Sequence, residues 1–306
     1  MLDRFMGAML GASIGDALGA YFEGWRFSST IKLSADKIES KYLGVYTDDT
    51  EMTIILAESI IKEKRLKASL FVRELAAKFN PRRGYGYGTM TVLRQVKRGV
   101  DWREATHRVF EGGSYGNGGC IRVAPVSLAY YDDKKLLLKA AEYSCIVTHS
   151  HPLGIEGCLL QAYAISLALK SIDKEKILNE LLKLARHNVY LRKLSQIEKL
   201  LKKKADLKEA VHVLGNFSSA PDSMPLALYL FLKNNGFENT IIDAIRCGGD
   251  TDSIAAMAGA LAGAYYGYES IPRRLVEKLE DKDKILELAR KLWKLKREAK
   301  ILEPML

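Results

Sequence analysis

The chain is 306 residues long, with 48% hydrophobic and 27% charged residues and a formal net charge of +10. These proportions exclude a disordered or fibrous chain and allow a substantial core in one large domain or two closely packed ones. Much of the positive excess falls in 192–204 and 278–300, where lysines alternate with leucines and acids at helical spacing, so it reads as solvated helix faces and not as a nucleic-acid groove.

The first predicted helix, Leu2 to Tyr21, carries glycine at 7, 11, 15 and 19. Spaced by four, these line one face. Glycine costs roughly 1 kcal/mol inside a helix relative to alanine, so a stripe of four implies a need for close backbone approach. A matching stripe, Ala255, Gly259, Gly263 and Gly267, lies near the other end of the chain, and the two helices are therefore predicted to pack together. Asp3 and Asp16 interrupt the N-terminal stretch, and no apolar run is expected to reach membrane-spanning length, so neither a signal peptide nor a membrane partner is expected.

An irregular stretch over 27–46 follows, in which Ile31–Leu33 and Tyr42–Val45 are the only strand candidates. Thr47-Asp48-Asp49-Thr50-Glu51 then opens a helix running through Ile61. Asp48 and Glu51 have the offset of a capping box, which alone would account for the acids. Helices are predicted over 68–79, 89–98, 102–110, 120–131, 134–147, 153–172, 174–185, 191–204, 206–213, 224–234, 240–247, 253–266, 272–280 and 283–299. The fold class that results is all-α, in a single domain spanning 1–306.

Two glycine-rich loops lead into helices: Gly84-Tyr85-Gly86-Tyr87-Gly88 and Gly112-Gly113-Ser114-Tyr115-Gly116-Asn117-Gly118-Gly119. Backbone N–H groups in such loops can cradle phosphate, although neither loop has the spacing of a dinucleotide fingerprint. In Thr148-His149-Ser150-His151-Pro152 the histidines suit loop and capping roles. Cysteines 120, 145, 158 and 247 include no pair at metal or redox spacing and read as buried thiols of a cytoplasmic protein.

The chain is organised around Gly248-Gly249-Asp250-Thr251-Asp252-Ser253, where a second acid-loaded helix begins. One acid is explained by capping, whereas two like charges this close call for a cation. If the two small-residue helices pack, Asp16 and Glu23 join this segment and the Thr47–Asp49 segment. Ligands of oxygen alone select Mg²⁺, Mn²⁺ or Ca²⁺ over zinc, and a pair of ions explains the number of acids.

Gly15-Asp16-Ala17-Leu18-Gly19 with Glu23, Tyr46-Thr47-Asp48-Asp49-Thr50, Gly113-Ser114-Tyr115-Gly116-Asn117-Gly118, Thr148-His149 and Gly248–Ser253 occur in the order of the ADP-ribosylglycohydrolase motifs, and the chain resembles that family from residue 15 to 253. The resemblance implies an orthogonal helical bundle that cleaves ADP-ribose from a modified protein or a small-molecule conjugate such as O-acetyl-ADP-ribose, using two Mg²⁺ or Mn²⁺ ions. By position, it implies that Thr47, Asp48, Asp49, Asp250, Asp252 and Ser253 ligate metal, Ser253 standing where many members have threonine. Glu23 is the implied acid/base residue, with Asp252 also catalytic and Asp16 a support. Gly84, Gly86 and Gly88 would face the diphosphate, Ser114, Tyr115 and Asn117 the adenosine and distal ribose, and His149 a ribose or phosphate oxygen. The alternatives are an ADP-ribose-binding protein without hydrolysis, a metal-dependent nucleotide phosphohydrolase, and nucleic-acid binding through the basic helices. A monomer is the default, and the acceptor is unread.

Overall fold

The computed structural model describes residues 1–306. It is helical throughout, and the only β-type pairings are the isolated bridges Lys67 to Met305 and Gly116 to Ser219. Both strand candidates fail. Phe27–Thr30 and Ala35–Glu39 form short helices, with the Ser34 hydroxyl capping the second at 3.2 Å, while Tyr42 to Tyr46 runs as irregular chain.

Two helices form the axis of the molecule. Leu2–Gly19 is buried from Gly7 onward, and Thr251–Tyr266 is buried from Thr251 to Ala264. They run antiparallel in direct backbone contact, as the paired glycine stripes predict. A methyl group on Gly11 would strike the Gly259 carbonyl, and one on Gly15 would strike the carbonyl of Ala255. Side chains of any size would hold these axes further apart, which is why the stripe is tolerated despite its propensity cost.

Helices Pro152–Leu169, Ala220–Lys233 and Phe237–Arg246 pack around Thr251–Tyr266, and the buried hydrophobic side chains, Val92 and Ala105 excepted, form one continuous cluster from Phe5 to Leu292. Pro152–Leu169 is, against expectation, long and apolar enough by length and composition to cross a membrane, yet 78% of it is buried in this core. A helix enclosed by protein on all sides is apolar all round for the same reason as one in lipid. Outer helices such as Asn188–Lys202 and Lys282–Arg297 bury one leucine- and isoleucine-rich face and turn most of their lysines outward, Lys193 excepted, which is buried and donates to the Leu214 and Pro221 carbonyls and to Asp222. The predicted helix 120–131 is two helices, Gly118–Ile121 and Ala124–Tyr130, because Pro125 sits in the first turn of the second, where its missing N–H is tolerated.

Candidate active site

The axial helix pair delivers its ends to one place. Thr251, Asp252 and Gly19 meet there, with the Thr251 hydroxyl donating to the Gly19 carbonyl at 2.9 Å. Beyond Gly19 the chain tightens into a 3-10 turn and then reverses: the Gly24 N–H donates to Gly249 O at 2.8 Å and the Gly249 N–H to Trp25 O at 2.9 Å. This ladder fixes Glu23 beside Asp250. Gly248 and Gly249 have φ of +62° and +74°, and any Cβ there would collide with Trp25, Phe27 or Asn216, so the turn requires glycine at both positions.

The helix Asp48–Glu63 enters from the side. Its N-terminal amides are held by a residue of another helix: Asp16, wholly buried, accepts from Thr47 N at 3.1 Å, Thr50 N at 3.0 Å and the Thr50 hydroxyl at 2.6 Å. Thr47 caps Asp49 N with its own hydroxyl at 3.3 Å. The capping-box reading is therefore overturned. Glu51 does not reach back; it accepts from Asn80 N at 2.8 Å and the Tyr85 hydroxyl at 2.7 Å, fastening the first glycine loop to this helix. With both caps supplied otherwise, Asp48 and Asp49 are surplus to capping. The Ser253 hydroxyl donates to Asp49 at 3.0 Å, so two motifs 204 residues apart are in contact.

Carboxyl oxygens of Glu23, Asp250 and Asp252 lie within 4.8 Å of one another. Burial lifts Asp48 to about 8, with Asp16, Glu23 and Glu51 adding to the rise. Burial and the neighbouring acids push Asp49 and Asp252 well above the ordinary range, and burial raises Asp250 against the hydrogen bond that Asn117 donates at 2.6 Å. Glu23, more exposed, is raised by desolvation and then by Asp250. None of these acids has an ion-pair partner in the chain; the arginine in the same cleft, Arg83, is already paired with Glu280 through two 2.8 Å bonds. Crowded, desolvated carboxylates without a cation of their own suit hard divalent ions.

These acids line one end of a cleft of about 670 Å³. Both glycine loops line it too, and the wall contains Gly84, Gly86, Gly88, Ser114, Tyr115, Asn117 and His149 beside the six ligand candidates and Glu23, whereas Asp16 is buried behind it. Tyr115 is half exposed and stands edge-on to His151, with ring centroids 5.2 Å apart. His149 is buried in the wall with Gly116 and Gly118 against its ring, and His151 caps the helix Pro152–Leu169. Sequence reasoning missed Phe110, which packs on Gly88 and meets Tyr87 edge-on at 6.4 Å, and Ser218 and Ser219, whose loop accepts the Asn117 N–H at 3.0 Å. An aromatic just before the second glycine loop and a serine cap before Pro221 were the available signals.

The sequence model of the ADP-ribosylglycohydrolase family matches residues 1–301. An ADP-ribosylhydrolase ARH3 of Danio rerio is 32% identical over 340 residues, covering 96% of this chain and 91% of its own. An ADP-ribosylarginine hydrolase, Tri1, of Serratia proteamaculans is 28% identical, covering 95% and 79%. A solved structure described as an ADP-ribosylglycohydrolase-related protein complex superposes with a TM-score of 0.72 at 26% identity over 96% of this chain and 98% of that one. By its axial glycine pair, its converging acids and the match along its length, the chain belongs to the ADP-ribosylglycohydrolase family.

Proposed function

We propose that the protein is a single-domain, cytoplasmic hydrolase that cleaves the glycosidic bond between ADP-ribose and an acceptor, with the acid end of the cleft as its reaction centre. The observation that carries this reading is the meeting of Glu23, Asp48, Asp49, Asp250 and Asp252 in the one cleft that both glycine loops line. Family membership supports the reaction class, and the hydrolase relatives from an animal and a bacterium support a substrate built on ADP-ribose.

Thr47, Asp48, Asp49, Asp250, Asp252 and Ser253 would supply the oxygen donors for two Mg²⁺ or Mn²⁺ ions, the two segments that carry them being in contact through the Ser253–Asp49 bond. Bound there, such ions provide Lewis-acid attraction for a ribose diol and make a nearby water more acidic. The chain's own groups do the rest. The carboxylates face the anomeric carbon, where positive charge develops as the bond to the acceptor breaks, and they stabilise it at no cost in reorganisation. Glu23, with its raised pKa and exposed position, holds or delivers the proton exchanged with water or leaving group. Gly84 and Gly86 leave backbone open to the diphosphate while Phe110 covers Gly88, Ser114 and Asn117 line the path to the adenosine, and Tyr115 and Phe110 offer aromatic faces for the base.

Replacing Asp252 or Asp48 by Ala lowers release of ADP-ribose about a hundred-fold or more, measured as product formed in Mg²⁺. Unchanged turnover in either variant refutes the assignment.

A further inference from the structure

Behind the cleft wall, Arg122 is wholly buried without any carboxylate partner. Its Nη2 donates to the Ser144 carbonyl and to the Thr148 hydroxyl, each at 2.7 Å. The same hydroxyl lies 2.8 Å from Nδ1 of His149. Thr148 is itself buried, so its hydroxyl hydrogen needs an acceptor within the protein.

Arginine has donors only. The Thr148 oxygen must therefore accept from Arg122. If His149 also donated to it through Nδ1–H, the buried hydroxyl hydrogen would be left without a partner within the protein. Every group is satisfied only if Thr148 donates to an unprotonated Nδ1, which leaves the imidazole hydrogen on Nε2. Nε2 has no partner within the protein, and His149 forms part of the cleft wall, with Gly116 and Gly118 packed against the Nε2 side of its ring.

We propose that Arg122 and Thr148 are positioning residues that lock His149 in the neutral Nε2–H tautomer, making it a hydrogen-bond donor to an oxygen of the ADP-ribosyl group. Its contact with ADP-ribose rests on the function proposed above; the tautomer does not. Burial and the Arg122 charge also hold the His149 pKa down, to about 3, so the ring stays a neutral donor across the physiological range. A neutral donor grips an oxygen without the pH dependence of an imidazolium. The fully buried thiols of Cys120 and Cys158 border the same region and bring no negative charge, since burial pushes both well above their ordinary values.

The test is long-range ¹H–¹⁵N correlation of histidine-labelled full-length protein, with His149 assigned by the signal lost in His149→Gln, alongside titration with ADP-ribose. Wild type is expected to show protonated Nε2 and bare Nδ1 with no ligand present. Thr148→Val, close in shape, is expected to lose that signature and bind ADP-ribose about ten-fold more weakly. Thr148→Ser, which restores the hydroxyl, is expected to keep the tautomer and bind within about two-fold of wild type. A wild-type Nδ1–H signature overturns the proposal, as does a Thr148→Val protein with unaltered tautomer and affinity. Should Thr148→Val not fold, the wild-type and Thr148→Ser spectra decide alone. A correct tautomer in a wild-type protein that does not bind ADP-ribose refutes the function and leaves the lock standing.

Discussion

Gly15→Ala sets two principles against each other. In an isolated helix the exchange stabilises by about 1 kcal/mol. Here the new methyl group would run into the Ala255 carbonyl and stand 2.8 Å from Ala256 N, both backbone atoms of a helix buried on every side. Backbone cannot rotate aside as a side chain can, so the overpacking falls at the upper end of the usual range, about 3 kcal/mol. The difference is a net loss of about 2 kcal/mol. At about 2.1 cal/mol/K of unfolding entropy per residue, roughly 0.6 kcal/mol/K for 306 residues, the melting temperature falls by about 3 °C. Activity suffers as well, because Gly19, one turn on, abuts the Asp252 backbone, and parting the helices shifts Asp252 against Glu23. Thermal unfolding of Gly15→Ala, with Gly86→Ala as a stability control in open space, measures the first effect. A Gly15→Ala protein more stable than wild type would show that the helices yield easily and that close approach is not what the glycines provide.

Arg83→Met removes the paired bonds to Glu280, a third to the Tyr46 carbonyl at 2.8 Å and the stacking over the Tyr46 ring at 4.2 Å. Both charged partners are partly solvated, so stability should drop by only about 1–2 kcal/mol, while KM rises more than kcat falls because the adjacent Gly84 loop loosens; equal losses in the two parameters would contradict this. Removal of metal should make stability fall with pH. Asp48 ionises near 3.8 when unfolded but near 8 in the folded, cation-free protein, so the folded state holds a proton that the unfolded state has released over that interval, and unfolding becomes easier as pH rises through it. Mg²⁺ bound as proposed would relieve the repulsion, and its stabilising effect in chelator-treated protein should be larger at pH 8 than at pH 5; a melting-temperature gain independent of pH would refute the reasoning.

The axial pair was legible because glycine at a four-residue interval is costly and the stripe occurs twice, so close packing was the one economical explanation. The second glycine loop was legible as a loop, but its partners were not: the Asn117 N–H bonds to Ser218, and nothing local links those positions. Glu51 shows why local rules mislead. Its offset from Asp48 matches a capping box, yet Asp16, distant in sequence, takes the amides, and Glu51 is free to hold Asn80 and Tyr85. The strand candidates failed similarly, since alternation over three or four residues near Ile31 and Tyr42 carries too little information to outweigh packing in a helical molecule. No apolar run was expected to reach membrane-spanning length, yet Pro152–Leu169 does; its one carboxylate, Glu156, accepts from Arg186 N at 2.7 Å, so the helix stays buried around it.

The most direct measurement is release of ADP-ribose from arginine-linked, serine-linked and O-acetyl conjugates, each assayed in Mg²⁺, in Mn²⁺ and after chelation. Turnover of at least one conjugate that vanishes with chelator and returns with metal is the predicted result. Failure of all three in both metals, or turnover indifferent to chelation, would contradict a metal-dependent ADP-ribosylglycohydrolase centred on Asp250 and Asp252.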